Sequence, residues 1–189
     1  MFVLLMIEGD AVVPSNKILI VENEKTTREC IEECLPEFTK VDSMESLRYV
    51  DFESFSDDYI LRICDIMDLK VSTPKDYETI ESFGVFRRGM KCISKLYQKN
   101  QGNLIIVTKM PIQFLSKYFE LLDDDPDVSA LFTNYYGKLM DDLTNEDVDF
   151  FLHEHNNVYI ITKPSFDKVT GKIMWQERFK LLVNKICAP

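Results

Sequence analysis

The chain has 189 residues, 46% of them hydrophobic and 12% aromatic, enough apolar surface for one domain with a sizeable core and too much for a largely disordered polymer. Its formal net charge is −10, and one segment holds that excess: between 120 and 155 eleven acids face a single base, Lys138, leaving 21 acids and 21 bases elsewhere. An acidic face repels a phosphate backbone, so direct nucleic-acid binding is not expected, and no apolar run reaches the ~20 residues of a membrane-spanning helix.

Met1 to Ile7 is apolar but short, has no basic leader and is followed by Glu8 and Asp10. It reads as a strand or packed terminal segment rather than a signal peptide. The five cysteines, Cys30, Cys34, Cys64, Cys92 and Cys187, are odd in number and lie in apolar contexts. With no secretory signal, that pattern predicts reduced thiols in an intracellular protein, cytoplasmic or nuclear.

The first clear element is the run Lys17-Ile-Leu-Ile-Val21, which ends abruptly in Glu22-Asn-Glu24. An aliphatic run closed by acids predicts a central parallel strand whose carboxyl end opens onto a charged pocket, where open α/β sheets keep their chemistry. From Lys25 to Glu37 the apolar and small residues recur at helical intervals, and Pro36 closes that helix. Cys30 and Cys34 stand four apart on it and read as packed thiols. A short second strand is expected over Thr39 to Asp42, with Ser43 capping a short helix after it.

Tyr59-Ile-Leu-Arg-Ile-Cys-Asp65 is the next strand, again stopping at an acid. Pro74 to Asn100 is helical in pattern but carries Gly84 and Gly89, which predicts two helices or one kinked one. The Gly84-x4-Gly89 spacing is not a phosphate-binding loop, because Met90 occupies the lysine position and no strand immediately precedes it.

Asn103 to Thr108 is a buried strand, followed by a helix after Pro111. Val128 to Thr133 is a further strand candidate. Lys138 to His155 reads as an acidic helix with Leu139, Leu143, Phe150 and Phe151 on its apolar face. Within it His153 and His155 form a pair with no further zinc ligand at standard spacing. The last strand is Val158 to Lys163-Pro164. After a turn at Gly171, a helix from Trp175 to Ile186 closes the chain.

Strands alternating with helices predict one α/β domain over residues 1–189: a three-layer sandwich with a mainly parallel sheet of five or six strands and an acidic helical insertion at about 120–155. Glu22, Asp65 and Lys163, each on a strand end, are expected to meet on one rim of that sheet.

Three segments together resemble the receiver domain of response regulators, a flavodoxin-like α/β module that accepts phosphate on an aspartate. They are Lys17 to Arg28, Cys64-Asp65-Ile-Met67 and Thr162-Lys163-Pro164. The resemblance implies that Asp65 is the phosphoacceptor, that Glu22 and Asn23 join it at a magnesium site, that Lys163 pairs with phosphoryl oxygens, and that Thr108 or Thr133 supplies the switch hydroxyl. Asn23 removes a full charge from that metal site and Glu22 is one methylene longer than aspartate, so magnesium binding and phosphorylation are expected to be weakened or lost.

The leading expectation is therefore a receiver-like, or pseudo-receiver, regulatory domain in signal transduction. It would work through a protein partner, a basic one on grounds of charge, docking on the acidic 120–155 segment or the last helix, with no cofactor required. An active phosphoreceiver using magnesium is the first alternative. An α/β enzyme acting on a nucleotide or small phosphorylated substrate is the second, although the sequence has no G-x-G-x-x-G, P-loop or nucleophile elbow.

Overall fold

Aliphatic runs buried on both faces become central strands, and the described residues carry four of them. A computed structural model describes residues 17–46, 58–66, 79–99, 102–110, 112–122, 152–155, 157–163 and 169–187. In chain order they form β1 (Lys17–Val21), α1 (Lys25–Glu32), β2 (Lys40–Met44), β3 (Tyr59–Asp65), α2 (Ile80–Lys99), β4 (Asn103–Thr108), α3 (Ile112–Glu120), β5 (Leu152–His155), β6 (Val158–Thr162) and α4 (Val169–Cys187).

The sheet runs β2-β1-β3-β4-β6-β5. The first five are parallel to their neighbours, and β5 pairs antiparallel with β6 at the edge. Counting only the parallel strands in chain order gives 2-1-3-4-5, the order of flavodoxin-like sheets.

Strand alternation sorts the core into two layers. Leu19, Val21, Cys64, Leu104, Ile106 and Ile160 pack with Phe86, Met90 and Ile93 of α2 and Leu115 and Tyr118 of α3. Ile18, Ile20, Ile63, Ile105, Val107 and Ile161 pack on the other face with Ile31 of α1 and with Trp175, Phe179 and Val183 of α4. The result is a three-layer α/β sandwich. A register shift where Lys17 and Ile18 of β1 meet β3 puts Tyr59 in the first layer although Leu61 and Ile63 lie in the second.

Several boundaries differ from the sequence reading. Helix α1 stops at Glu32, ahead of Pro36, and Cys34 lies just beyond it, buried and donating its Sγ–H to the carbonyls of Cys30 and Gln176. Ser43 caps no helix; it belongs to β2, where its hydroxyl donates to Glu32. One helix spans Ile80 to Lys99, because Gly84 and Gly89 do not break it. Gly89 serves a contact: a Cβ there would sit 2.4 Å from the Ile66 carbonyl oxygen, so only glycine lets α2 approach the end of β3 so closely. Gly171 lies inside α4, which begins six residues earlier than Trp175.

Leu152 to His155 is a strand where an acidic helix was expected, so His153 and His155 sit on an edge strand opposite Ile160 and Val158. Residues 123–151, which hold most of the acidic segment with the proposed strand at 128–133 and Thr133, lie outside the described residues, as do residues 1–16 and Pro164. No described helix is long and apolar enough to cross a membrane.

Candidate functional site

The carboxyl ends of β1, β3 and β6 carry the charged residues, and the pleat decides which of them face one another. Glu22 follows Ile20 in phase, Asp65 follows Ile63 and Lys163 follows Ile161, so all three side chains leave the sheet on the side of α1 and α4. Register places Val21 opposite Cys64 and so brings Glu22 beside Asp65. Lys163 approaches from beyond β4, and its flexible four-carbon stem carries a compact charge across that strand end.

The three charges meet. Lys163 Nζ lies 2.6 Å from Glu22 Oε2 and 3.0 Å from Asp65 Oδ2, with side-chain exposures of 2% for Lys163, 1% for Glu22 and 9% for Asp65. The backbone fixes each member. Lys163 N–H donates to the Thr108 carbonyl at 2.8 Å, and Glu22 N–H donates to the Met44 carbonyl at 3.0 Å. Glu22 Oε1 accepts from the Glu24 N–H, and the Glu22 carbonyl accepts from the Arg28 guanidinium. Glu22 is thereby pinned by β2, α1 and β6 at once.

Two carboxylates share one ammonium, so the cluster carries one excess negative charge away from water. Burial, reinforced by the neighbouring Asp65 carboxylate, pushes Glu22 above the ordinary carboxylate range, and Lys163 offsets this only in part. For Lys163, burial alone would lower the pKa, but Asp65 and Glu22 outweigh it and hold the ammonium charged above its usual value.

A second pair stands outside the first. Lys109, in register with Lys163 one strand over, bonds to Glu24 Oε2, which also accepts from the Thr27 hydroxyl at 2.6 Å. Burial pushes Glu24 up, yet the hydrogen bonds from Lys109 and Thr27 prevail and its carboxyl sits below its ordinary value. Sequence reading missed Lys109, although Thr108-Lys109 repeats the polar strand ending that drew attention to Lys163. It also missed Arg62, a guanidinium buried in the middle of β3 between Leu19 and Leu104.

The remaining candidates are Asn23, Thr108 and Thr133. Asn23 is exposed. Thr108 is fully buried and its hydroxyl accepts from the Met110 N–H, so its link to Lys163 runs through its carbonyl. Thr133 is not among the described residues.

Magnesium takes near-octahedral oxygen ligation. Both Glu22 oxygens are already engaged, Asn23 offers a neutral amide, and an ammonium stands where the two carboxylates point. Among the described residues no group of three or more His, Cys, Asp or Glu is placed to share a metal ion. The residues present therefore do not fit magnesium while Lys163 is in place.

A scan of protein-family models finds no match to this chain, and a search of curated proteins finds no relative.

Proposed function

We propose that this chain is a receiver-like regulatory domain that acts by docking to a protein partner, with phosphoryl chemistry at Asp65 weakened or lost. The observation that carries the reading is the buried Glu22–Lys163–Asp65 cluster at the carboxyl rim of a 2-1-3-4-5 parallel sheet. Residue types and strand ends follow the receiver resemblance, while the donors depart from it in the way that removes a metal site. Phosphoryl transfer to a carboxylate builds negative charge that a divalent cation normally offsets. Here the Lys163 ammonium would offset it, beside a buried Glu22 that adds to the repulsion.

Asp65 is the more open of the two carboxylates, and this favours a second reading as an active phosphoreceiver. Beryllium fluoride with magnesium, a phosphoryl mimic, separates the two. Titrated into the full chain and followed by calorimetry, it should give no saturable heat. Saturable binding that Asp65→Asn abolishes would replace the first reading with the second.

The partner surface is proposed on charge. The 120–155 segment carries the whole net charge of the protein and suits a basic partner. Helix α4 is the other candidate, since it leaves Ile173 and Leu181 exposed.

A further inference from the structure

We propose that the outer edge of β2 is a self-association surface, on which β2 of a second copy pairs antiparallel about a two-fold axis at Val41, with Lys40 of each copy opposite Asp42 of the other. The inference uses none of the strand-end cluster and stands whether or not the receiver-like reading holds.

Strand β2 ends the sheet, and among the described residues no strand pairs with its outer edge. The pleat decides which groups that edge presents. The Glu22 N–H donates to the Met44 carbonyl, so Met44 turns its backbone toward β1; by alternation Asp42 does the same, while Val41 and Ser43 turn theirs outward. Val41 is 37% exposed, and Phe38, just ahead of the strand, is 73% exposed. An open edge of this kind is a template for another strand unless charge repels it.

Charge selects both the occupant and the register. Outward-facing residues must meet outward-facing residues, so a two-fold axis passes through a residue of β2. Centred on Lys40 or on Asp42, it sets a charge against its own copy, and centred on Ser43 it sets Asp42 against Met44. Centred on Val41, every pair is matched. Val41 meets itself in a hydrogen-bonded pair, Thr39 meets Ser43, the exposed Phe38 is brought toward Met44, and Lys40 meets Asp42 in the closer, non-hydrogen-bonded positions. A lone lysine on an edge keeps a second copy away, but a lysine with an acid two residues on is its own complement. The Tyr59 hydroxyl at 2.6 Å and the Lys17 ammonium at 3.1 Å both take Asp42 Oδ2, which leaves Oδ1 for a second ammonium on a side chain 44% exposed. Those same two bonds hold the Asp42 carboxyl below its ordinary value, and so charged.

Sedimentation velocity of the full chain over a concentration series, joined to amide hydrogen exchange, tests the proposal. One strand pair buries less than a standard interface, so the dimer should form at micromolar rather than nanomolar protein. As it fills, the Val41 and Ser43 amides, which face away from β1, should gain protection. Val41→Pro removes an outward N–H and no bond to β1, so this variant should keep the fold and stay monomeric. Lys40→Glu sets an acid opposite Asp42 and should weaken the dimer at least about tenfold, one decade in dissociation constant. It decides the matter alone if the proline variant does not fold. A wild type that stays monomeric up to millimolar protein overturns the proposal. So does a dimer that Lys40→Glu leaves unchanged, or one that adds no protection at Val41 and Ser43.

Discussion

Glu22 is the residue whose environment most contradicts its chemistry: a carboxylate at 1% exposure, beside a second carboxylate, sharing one lysine. Its pKa lies above the ordinary 4.5, through burial first and Asp65 second. The folded chain thus holds the Glu22 proton more tightly than the unfolded chain does. The stability this gives is fully present below pH 4.5 and is lost as pH rises through the raised folded value. Glu24 and Asp42 behave oppositely, since both are held below their ordinary values and their contribution disappears as pH falls. Glu22→Gln removes the first effect and leaves the others. Measured by urea midpoints over a pH series, the wild type should gain on Glu22→Gln as pH falls from neutrality toward 4.5. Parallel curves would show that Glu22 is not perturbed. The positions of Glu22, Asp65 and Lys163 were legible in the sequence because each ends an aliphatic run. Their meeting on one rim was expected as well, whereas the atom-to-atom pairing was not legible, because whether a lysine ends on a carboxylate or in solvent depends on pleat phase across three strands.

At the scale of elements, the two glycines of α2 make opposite predictions from one residue type. A Cβ on Gly84 would meet only the end of the Arg88 side chain, at 3.7 Å. Gly84→Ala should therefore stabilise by about 0.5–1 kcal/mol through backbone entropy. A Cβ on Gly89 would collide with the backbone at Ile66, directly after Asp65. Gly89→Ala should cost roughly 1–3 kcal/mol, as overpacking does, despite the same gain in helix propensity. Thermal unfolding of both variants checks this, and a stabilised Gly89→Ala would mean that α2 does not press on the β3 end. In the sequence both glycines looked like helix breakers. Helix propensity is a weak local term, and the buried faces of Phe86, Met90, Ile93 and Leu96 override it. The strands β3 and β4 were legible to the residue because each is a mostly apolar run closed by a polar residue. The edge strand β5 was not, because Leu-His-Glu-His has no such run and its strand state comes from pairing with β6.

Across the whole molecule, the cluster ties together ends of the sheet that are far apart in sequence: Glu22, Asp65 and Lys163 are separated by 98 residues at their last link and by 141 at their widest. Such links close long loops, so their loss is felt as global rather than local stability. The sheet order sets β1 beside β3 and leaves β4 between β3 and β6, so the residue from β6 must reach across one strand end, which the long lysine stem allows. The central claim is that these three charges form one coupled unit, and a double-mutant cycle of Lys163→Met with Glu22→Gln tests it most directly. Lys163→Met alone should cost about 3–5 kcal/mol, because it strands two buried carboxylates. Adding Glu22→Gln should recover at least about 1 kcal/mol of that loss by removing their repulsion, a coupling well above the roughly 0.3–0.5 kcal/mol scatter of independent sites. Denaturant unfolding in which the two substitutions simply add would contradict the account.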